Sequence, residues 1–320
     1  MIATPVCKQL LQEVFEWIQV GLLGAIVYGR PRLGKTSATR WALDGLRELF
    51  GGPVLWYEVS CRRERPRKGV LAREGAFFQH LLHCVKYKHY KAGTVYDKRD
   101  NLAEALCQRA GRSPIRTVVL FFDEAQNLQE EHYHWLLNVS NEVEARGFRV
   151  FCLLVGQHAL SLHATRLLDA DPDLEAIVSR FLTHQWQFRG IEGEEALQQC
   201  LTQYDDTVYP QNSGIPFVRN FLPKAHDGGW TLAKDVAQPL WLSFAAQWTG
   251  EGMPGEPVVP MHYLTSATCA LLNDLREKDA SSLIVSPEAV SISVRRSGYI
   301  TAVRALRRPS NNTAGNSAGA

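Results

Sequence analysis

The sequence predicts an α/β protein, a parallel sheet with helices on both faces followed by a helical lid region. Three observations carry that reading. GRPRLGKTS, Gly29 to Ser37, joins an apolar run to a segment of helical spacing. TVVLFFDEAQNL, Thr117 to Leu128, is a second apolar run, and it ends on two adjacent carboxylates, Asp123 and Glu124. Up to about residue 157, short β-rich runs alternate with helix-spaced segments, the pattern of a parallel sheet with crossover helices.

Residues 5–20 place Val6, Leu10, Val14, Trp17 and Ile18 at helical three–four spacing. Leu22, Leu23, Ala25, Ile26 and Val27 form the first strand, and Ala38, Trp41, Ala42, Leu46 and Leu49 mark one side of the helix that follows. Pro53 to Ser60 is the second strand. A helix over 73–87 turns Phe77, Leu81 and Val85 inward, and another over 100–110 has Asp100 or Asn101 as its cap. Thr117 to Phe122 is the third strand. The long helix after it ends at Gly147, and 148–157 is the fourth strand. Beyond Phe188 the strand signal fades. Helices are expected over 192–206, over 230–248 with an interruption near Pro239, and over 261–278. The last twelve or so residues are small and polar and read as a disordered tail.

The first motif is the phosphate-cradling loop G-x-x-x-x-G-K-[ST], in the strand–loop–helix context it needs. Gly29, Arg30, Pro31, Arg32, Leu33, Gly34, Lys35, Thr36 and Ser37 supply it. Backbone N–H groups and the helix N-terminus converge on phosphates there. Lys35 reaches the β- and γ-phosphates, and Thr36 and Asp123 hold Mg²⁺. Two carboxylates at the end of an apolar strand are costly to bury without a task. Glu124 is placed to polarise an attacking water. Gln157, just after the fourth strand, is placed near the γ-phosphate. Arg180, in IVSRFL, is the first choice for an arginine donated to a neighbouring subunit, ahead of Arg166 and Arg189. ATP is favoured over GTP because no N-K-x-D guanine-reading segment occurs.

At 320 residues with 45% hydrophobic and 21% charged residues, the chain holds one sizeable core and a smaller one. The expected division is a nucleotide-binding core over 1–188, a helical lid over 189–278 and a C-terminal extension over 279–320. Cys7, Cys61, Cys84, Cys107, Cys152, Cys200 and Cys269 are scattered, without a C-x-x-C pair, which points to the reducing cytoplasm. No apolar run approaches the roughly 18 residues that span a bilayer. Lys8, Glu13 and Glu16 interrupt the N-terminal apolar residues, unlike a signal peptide. His80, His83, Cys84 and His89 raise the question of a metal, but lack third and fourth ligands at zinc spacing.

Charge is unevenly spread. From Cys61 to Arg116, fourteen Lys and Arg face five Asp and Glu, an excess of nine in a chain of formal net charge +2. That basic insert suits a phosphate backbone. YKHYKAGTVYDKR interleaves lysine with tyrosine, a pattern for contacts that do not read sequence.

The order of parts resembles the AAA+ superfamily: P-loop, Asp-Glu strand, fourth strand ending LLVGQ, late SRF arginine and helical lid. Within it, GRPRLGKT, LFFDEAQNL and FLPKAHDGGWTLAKDVAQPLW look most like the TniB/TnsC family of transposition ATPases, over about residues 5–275. The resemblance implies a homo-oligomeric ring or filament around duplex DNA that connects a target-site selector to a DDE-type transposase. It implies a DNA path lined by Lys86, Lys88, Lys91, Lys98 and Arg99. Lys234 stands where such lids often carry a second sensor arginine. The alternatives are a secretion- or initiator-type ATPase of the same superfamily, acting on protein assemblies, and a nucleotide-gated switch with little turnover. Glu124 argues against the switch.

Overall fold

The computed structural model describes residues 3–61, 73–210 and 212–307, and the chain divides at Phe188 and Arg189 into two compact units. Arg62, Arg63, Arg65, Arg67 and Lys68 of the basic insert, and the polar C-terminal tail, lie outside the described residues.

The first unit opens with α1 (Pro5–Gln19), which buries Cys7, Leu10, Val14, Trp17 and Ile18. Then come β1 (Gly24–Tyr28), α2 (Lys35–Leu49), β2 (Leu55–Ser60), α3 (Glu74–Cys84), α4 (Val95–Ala110) and β3 (Thr117–Asp123). The remainder is α5 (Glu130–Ala145), β4 (Arg149–Gly156), α6 (His158–Ser161), α7 (His163–Ala170), α8 (Glu175–Phe181) and β5 (Gln185–Gln187). The five strands are parallel, in the order β2-β3-β4-β1-β5.

Period-two side-chain alternation divides the apolar strands between two cores. Val118, Leu120 and Phe122 of β3 and Val150, Cys152 and Leu154 of β4 join the core built with α3, α4, α5 and α8. Val119 and Phe121, with Phe151, Leu153 and Val155, face the core made with α1 and α2. Each fully buried Leu, Val or Phe contributes about 1.5–3 kcal/mol, so the buried central strands anchor the sheet. The chain leaves β1 toward one sheet edge and leaves β4 toward the other. The crevice outside the carboxyl ends of these neighbouring strands is where ligands bind in such sheets.

Several boundaries differ from the sequence expectation. α4 begins a turn and a half before Asp100, because Thr94 caps it: the Thr94 hydroxyl accepts from the Asp97 N–H, and Asp97 accepts from the Thr94 N–H at 2.8 Å. Asp100 and Asn101 are therefore inside the helix. In α2 the buried stripe is Ala38, Thr39, Ala42, Leu43 and Leu46, while Leu49 is 45% exposed. β5 has no long apolar run. It is a three-residue edge strand held by pairing with β1, and Trp186 and Phe188 supply its inward side.

The second unit holds β6 (Ile191–Glu192), α9 (Glu194–Asp206), α10 (Pro223–Asp227), α11 (Leu232–Asp235), α12 (Ala237–Gly250), β7 (Val258–Val259), α13 (Met261–Leu275), α14 (Pro287–Arg296) and α15 (Tyr299–Arg307). The break expected at Pro239 falls instead at Val236. Pro239 sits in the first turn of α12, where a missing N–H costs nothing. Asp205 caps α11 from α9, accepting from the N–H groups of Leu232 and Ala233 at 2.9 and 3.0 Å. Val290, Val294, Tyr299 and Val303 of α14 and α15 lie in the same core as α9, α12 and α13.

Candidate functional site

The P-loop runs from the end of β1 into α2. Gly29 is glycine for want of space: a Cβ there would lie 2.4 Å from the Phe188 carbonyl oxygen. Gly34 has φ 94, a left-handed conformation that glycine adopts without strain, and it opens α2. Arg32, where many such loops carry glycine, also has positive φ, at 64. Leu33, 4% exposed, ties the loop to the α1–α2 core, and Arg30, Pro31 and Arg32 are exposed. Lys35 folds back into the loop, and its Nζ donates to the carbonyls of Gly29 and Arg30 at 2.9 and 2.8 Å. Burial lowers the Lys35 pKa, and the charges of Glu124 and Asp123 offset part of that.

Because β4 lies between β1 and β3, three strand ends bring their polar residues to one edge. The Thr36 hydroxyl lies 3.2 Å from each Asp123 carboxylate oxygen. Burial raises the Asp123 pKa, the Thr36 hydrogen bond pulls it down and the charge of Glu124 raises it again. Among the described residues Asp123 has no Lys or Arg salt-bridge partner. A half-buried carboxylate beside a hydroxyl, with no cation of its own, is a donor set suited to Mg²⁺.

Glu124 follows at φ 56 and is exposed, opening the 3₁₀ turn Ala125–Asn127. Gln157, first residue after β4, donates from Nε2 to Glu124 Oε2 at 3.4 Å. The structure thus gathers Lys35, Thr36, Asp123, Glu124 and Gln157 at the carboxyl edge of the sheet. Arg180 on α8 donates to Asn141 Oδ1 on α5. Arg166 is exposed on α7, and Arg189 pairs with Glu192 at 3.7 Å.

Sequence reasoning missed four residues. Gln126 donates to Glu124 and accepts from the Gln157 backbone N–H. Gly156 leaves room for it. Arg40, one turn beyond Thr36 on α2, makes a two-pronged bond to Glu58 of β2, at 2.7 Å for each arm. The Arg40–Glu58 charges carry no signature in the chain order. Gln126 was visible only as part of the D-E-A-Q run.

In the basic segment, α3 and α4 are core elements, and the lysines ride on the connection between them. Lys86, Lys88 and Lys91 are exposed, with Lys91 5.6 Å from the Tyr90 ring centroid. Lys98 and Arg99 are half-buried on α4, and the Arg99 guanidinium lies 5.4 Å from the Tyr96 ring centroid. Two of the counted arginines are packing residues. Arg109 donates to the Val85 and Ala105 carbonyls and stacks on Tyr57, and Arg116 stacks on Phe148. The His80 ring is 3.8 Å from Cys84 Sγ, and no group of three or more His, Cys, Asp or Glu among the described residues is placed to hold a metal ion. Lys234 is exposed in the first turn of α11. No helix among the described residues is long and apolar enough to cross a membrane.

No curated protein matches the chain significantly. The AAA domain family matches residues 23–162. The ORC2 protein of Aeropyrum pernix in its ADP form shares the fold at a TM-score of 0.57 with 14% identity, over 93% of this chain and 70% of that one. Domain III of the replication initiation protein DnaA of Thermotoga maritima overlaps at a TM-score of 0.43 with 13% identity, over 92% of this chain and 93% of that one, too loosely to bear on the assignment. By the match over residues 23–162 and its parallel five-stranded sheet, the first unit has the P-loop AAA+ fold.

Proposed function

We propose that the protein hydrolyses ATP with Mg²⁺, assembles as a homo-oligomer on duplex DNA, and links target-site selection to a transposase. The observation that carries the hydrolytic part is the convergence of the P-loop, Thr36–Asp123 and Glu124–Gln157 on one sheet edge. Lys35 exchanges the Gly29 and Arg30 carbonyls for phosphate oxygens of ATP. Thr36 and Asp123 would hold Mg²⁺, which neutralises charge on the phosphates when bound. Glu124 accepts a hydrogen bond from the attacking water and orients it, and Gln157 contacts the γ-phosphate. Arg180 leaves Asn141 and offsets transition-state charge in the site of the adjoining subunit.

The DNA part rests on the exposed Lys86, Lys88 and Lys91, the last beside the Tyr90 ring, with the half-buried Lys98 and Arg99, of which Arg99 lies beside the Tyr96 ring. Lysines contact phosphates and carry no sequence information, so affinity is the same for unrelated duplexes. The transposition part rests on the resemblance of GRPRLGKT, LFFDEAQNL and the lid-opening segment to the TniB/TnsC family. An initiator-type ATPase acting on protein assemblies is the second reading. The packing roles of Arg109 and Arg116, which thin the basic surface, favour it.

The discriminating experiment is a salt titration of DNA binding with an ATP analogue present. It compares wild type with the triple variant Lys86→Glu, Lys88→Glu, Lys91→Glu on two unrelated duplexes. Loss of three phosphate contacts lowers affinity equally on both and flattens the slope of log affinity against log salt by roughly 2–3. Equal affinity and slope in both proteins would leave this face merely solvated and put the initiator-type reading first.

A further inference from the structure

Gln126 occupies the centre of the site, and the nucleotide-binding motifs give it no task. It lies two residues beyond Glu124, inside the 3₁₀ turn that Glu124 opens. Its side-chain amide is engaged at both ends. Nε2 donates to Glu124 Oε2, and Oε1 accepts from the Gln157 backbone N–H at 3.0 Å. Gln157 Nε2 donates to the same Glu124 oxygen at 3.4 Å. Both donors therefore converge on Oε2. Glu124 Oε1 makes no hydrogen bond among the described residues.

The turn itself is fixed from two sides. Asn127 Nδ2 donates to the Cys61 carbonyl at 2.9 Å, and the Cys61 N–H donates to the Asp123 carbonyl at 2.9 Å, tying the turn to the end of β2. On the other side the His163 side chain hydrogen-bonds the Gln126 backbone. A side chain held this way sits on a rigid base.

Gly156 completes the arrangement. It is the last residue of β4, it is buried, and its φ is not in the left-handed region, so conformational freedom does not explain a glycine there. Space does. A Cβ at 156 would lie 2.2 Å from Gln126 Oε1, 3.0 Å from Leu160 Cδ2 and 3.4 Å from Gln126 Cδ; the closest approach is to the amide. Glycine at 156 and glutamine at 126 are a matched pair: the missing methyl is the room that the Gln126 amide occupies.

We infer that Gln126 is a positioning residue for hydrolysis, which ties up Glu124 Oε2 and so presents Oε1 to the attacking water. The inference rests on the hydrolytic reading above. It adds that the orientation of Glu124 is set by the strand that bears Gln157. A carboxylate with one oxygen engaged loses rotational freedom and keeps a defined acceptor direction. Partners that orient a reacting group through hydrogen bonds typically change activity by about 10–100-fold when removed.

The test uses the full chain and three variants, Gln126→Ala, Gly156→Ala and the double variant. ATP turnover, nucleotide affinity and hydrogen exchange at the Gln157 backbone N–H are measured for each. Gln126→Ala is expected to lower kcat by about 10–100-fold, leave nucleotide affinity within about threefold, and speed exchange at Gln157. Gly156→Ala is expected to do the same, because its methyl displaces the amide. The double variant is expected to be no worse than Gln126→Ala alone, since the methyl then meets only the end of the Leu160 side chain, which shifts by a few tenths of an ångström to admit it. Gln126→Met, which keeps the length without donor or acceptor, repeats the measurement if the alanine variant fails to fold. Unchanged kcat in Gln126→Ala, or losses that multiply in the double variant, would overturn the inference. If wild type shows no turnover at all, the hydrolytic reading fails by itself. The tie is then judged on exchange at Gln157, where equal rates in wild type and Gln126→Ala would overturn it and faster exchange in the variant would support it.

Discussion

Asp123 shows what a carboxylate at the end of an apolar strand costs a fold. Its carboxylate is half-buried at the end of an apolar strand, and burial raises its pKa despite the Thr36 hydroxyl. The raised value means that the folded protein binds the proton more tightly than the unfolded chain. The contribution of this one group to stability is fully present below the ordinary carboxylate range and is lost as pH rises from there through the raised value. At neutral pH the site without metal therefore carries a destabilising charge. Asp123→Asn, which keeps an acceptor for Thr36, is expected to melt at a higher temperature than wild type at neutral pH and to lose that advantage near pH 3. Mg²⁺ is expected to raise the wild-type Tm at neutral pH and to leave that of Asp123→Asn unchanged. A variant that melts lower than wild type at neutral pH would mean that Asp123 stabilises the fold as an anion. Asp123 and Glu124 were legible in the sequence because adjacent carboxylates end an apolar run. Gln126, Gly156 and Glu58 were not, because each owes its role to a residue on another strand or helix, far away in the chain.

Elements differ in how much of their origin is local. β3 and β4 read directly from the sequence, since a strand buried on both faces is a near-continuous apolar run. β5 does not, since three residues with exposed ends depend on the β1 edge for their form. α4 starts earlier than its sequence predicts because Thr94 and Asp97 make the cap, while Asp100 offers the same side-chain type further along. Proline inside a helical pattern predicts a break at Pro239, yet in the first turn of α12 it is accommodated and the break precedes it. α8 carries Arg180, whose present partner is Asn141. For an arginine acting across a subunit boundary, Arg180→Ala is expected to lower turnover by on the order of 10³ without loss of nucleotide affinity. Subunits carrying Arg180→Ala and subunits carrying Lys35→Ala, each inactive alone, are expected to restore part of the turnover when mixed. Mixed oligomers that stay inactive would return the role to Arg166 or Arg189, or leave Arg180 as a packing residue.

For the whole molecule, two units with separate cores divide the labour. The first holds every residue of the proposed ATP site and the exposed lysines of the basic segment. The second is a helical assembly whose own core extends through α15. The fold of the first unit was legible because its motifs are local and its strands apolar. The second was legible only as helices, since amphipathic spacing gives an element and not its neighbours. The central claim is that one sheet edge binds ATP through the P-loop and hydrolyses it through Glu124. It is tested most directly by measuring nucleotide affinity and ATP turnover side by side in wild type, Lys35→Ala and Glu124→Gln. The expected result is turnover in wild type, loss of affinity in Lys35→Ala, and in Glu124→Gln near-wild-type affinity with turnover reduced by roughly 10²–10⁴. Unchanged affinity in Lys35→Ala, or wild-type turnover in Glu124→Gln, would contradict it.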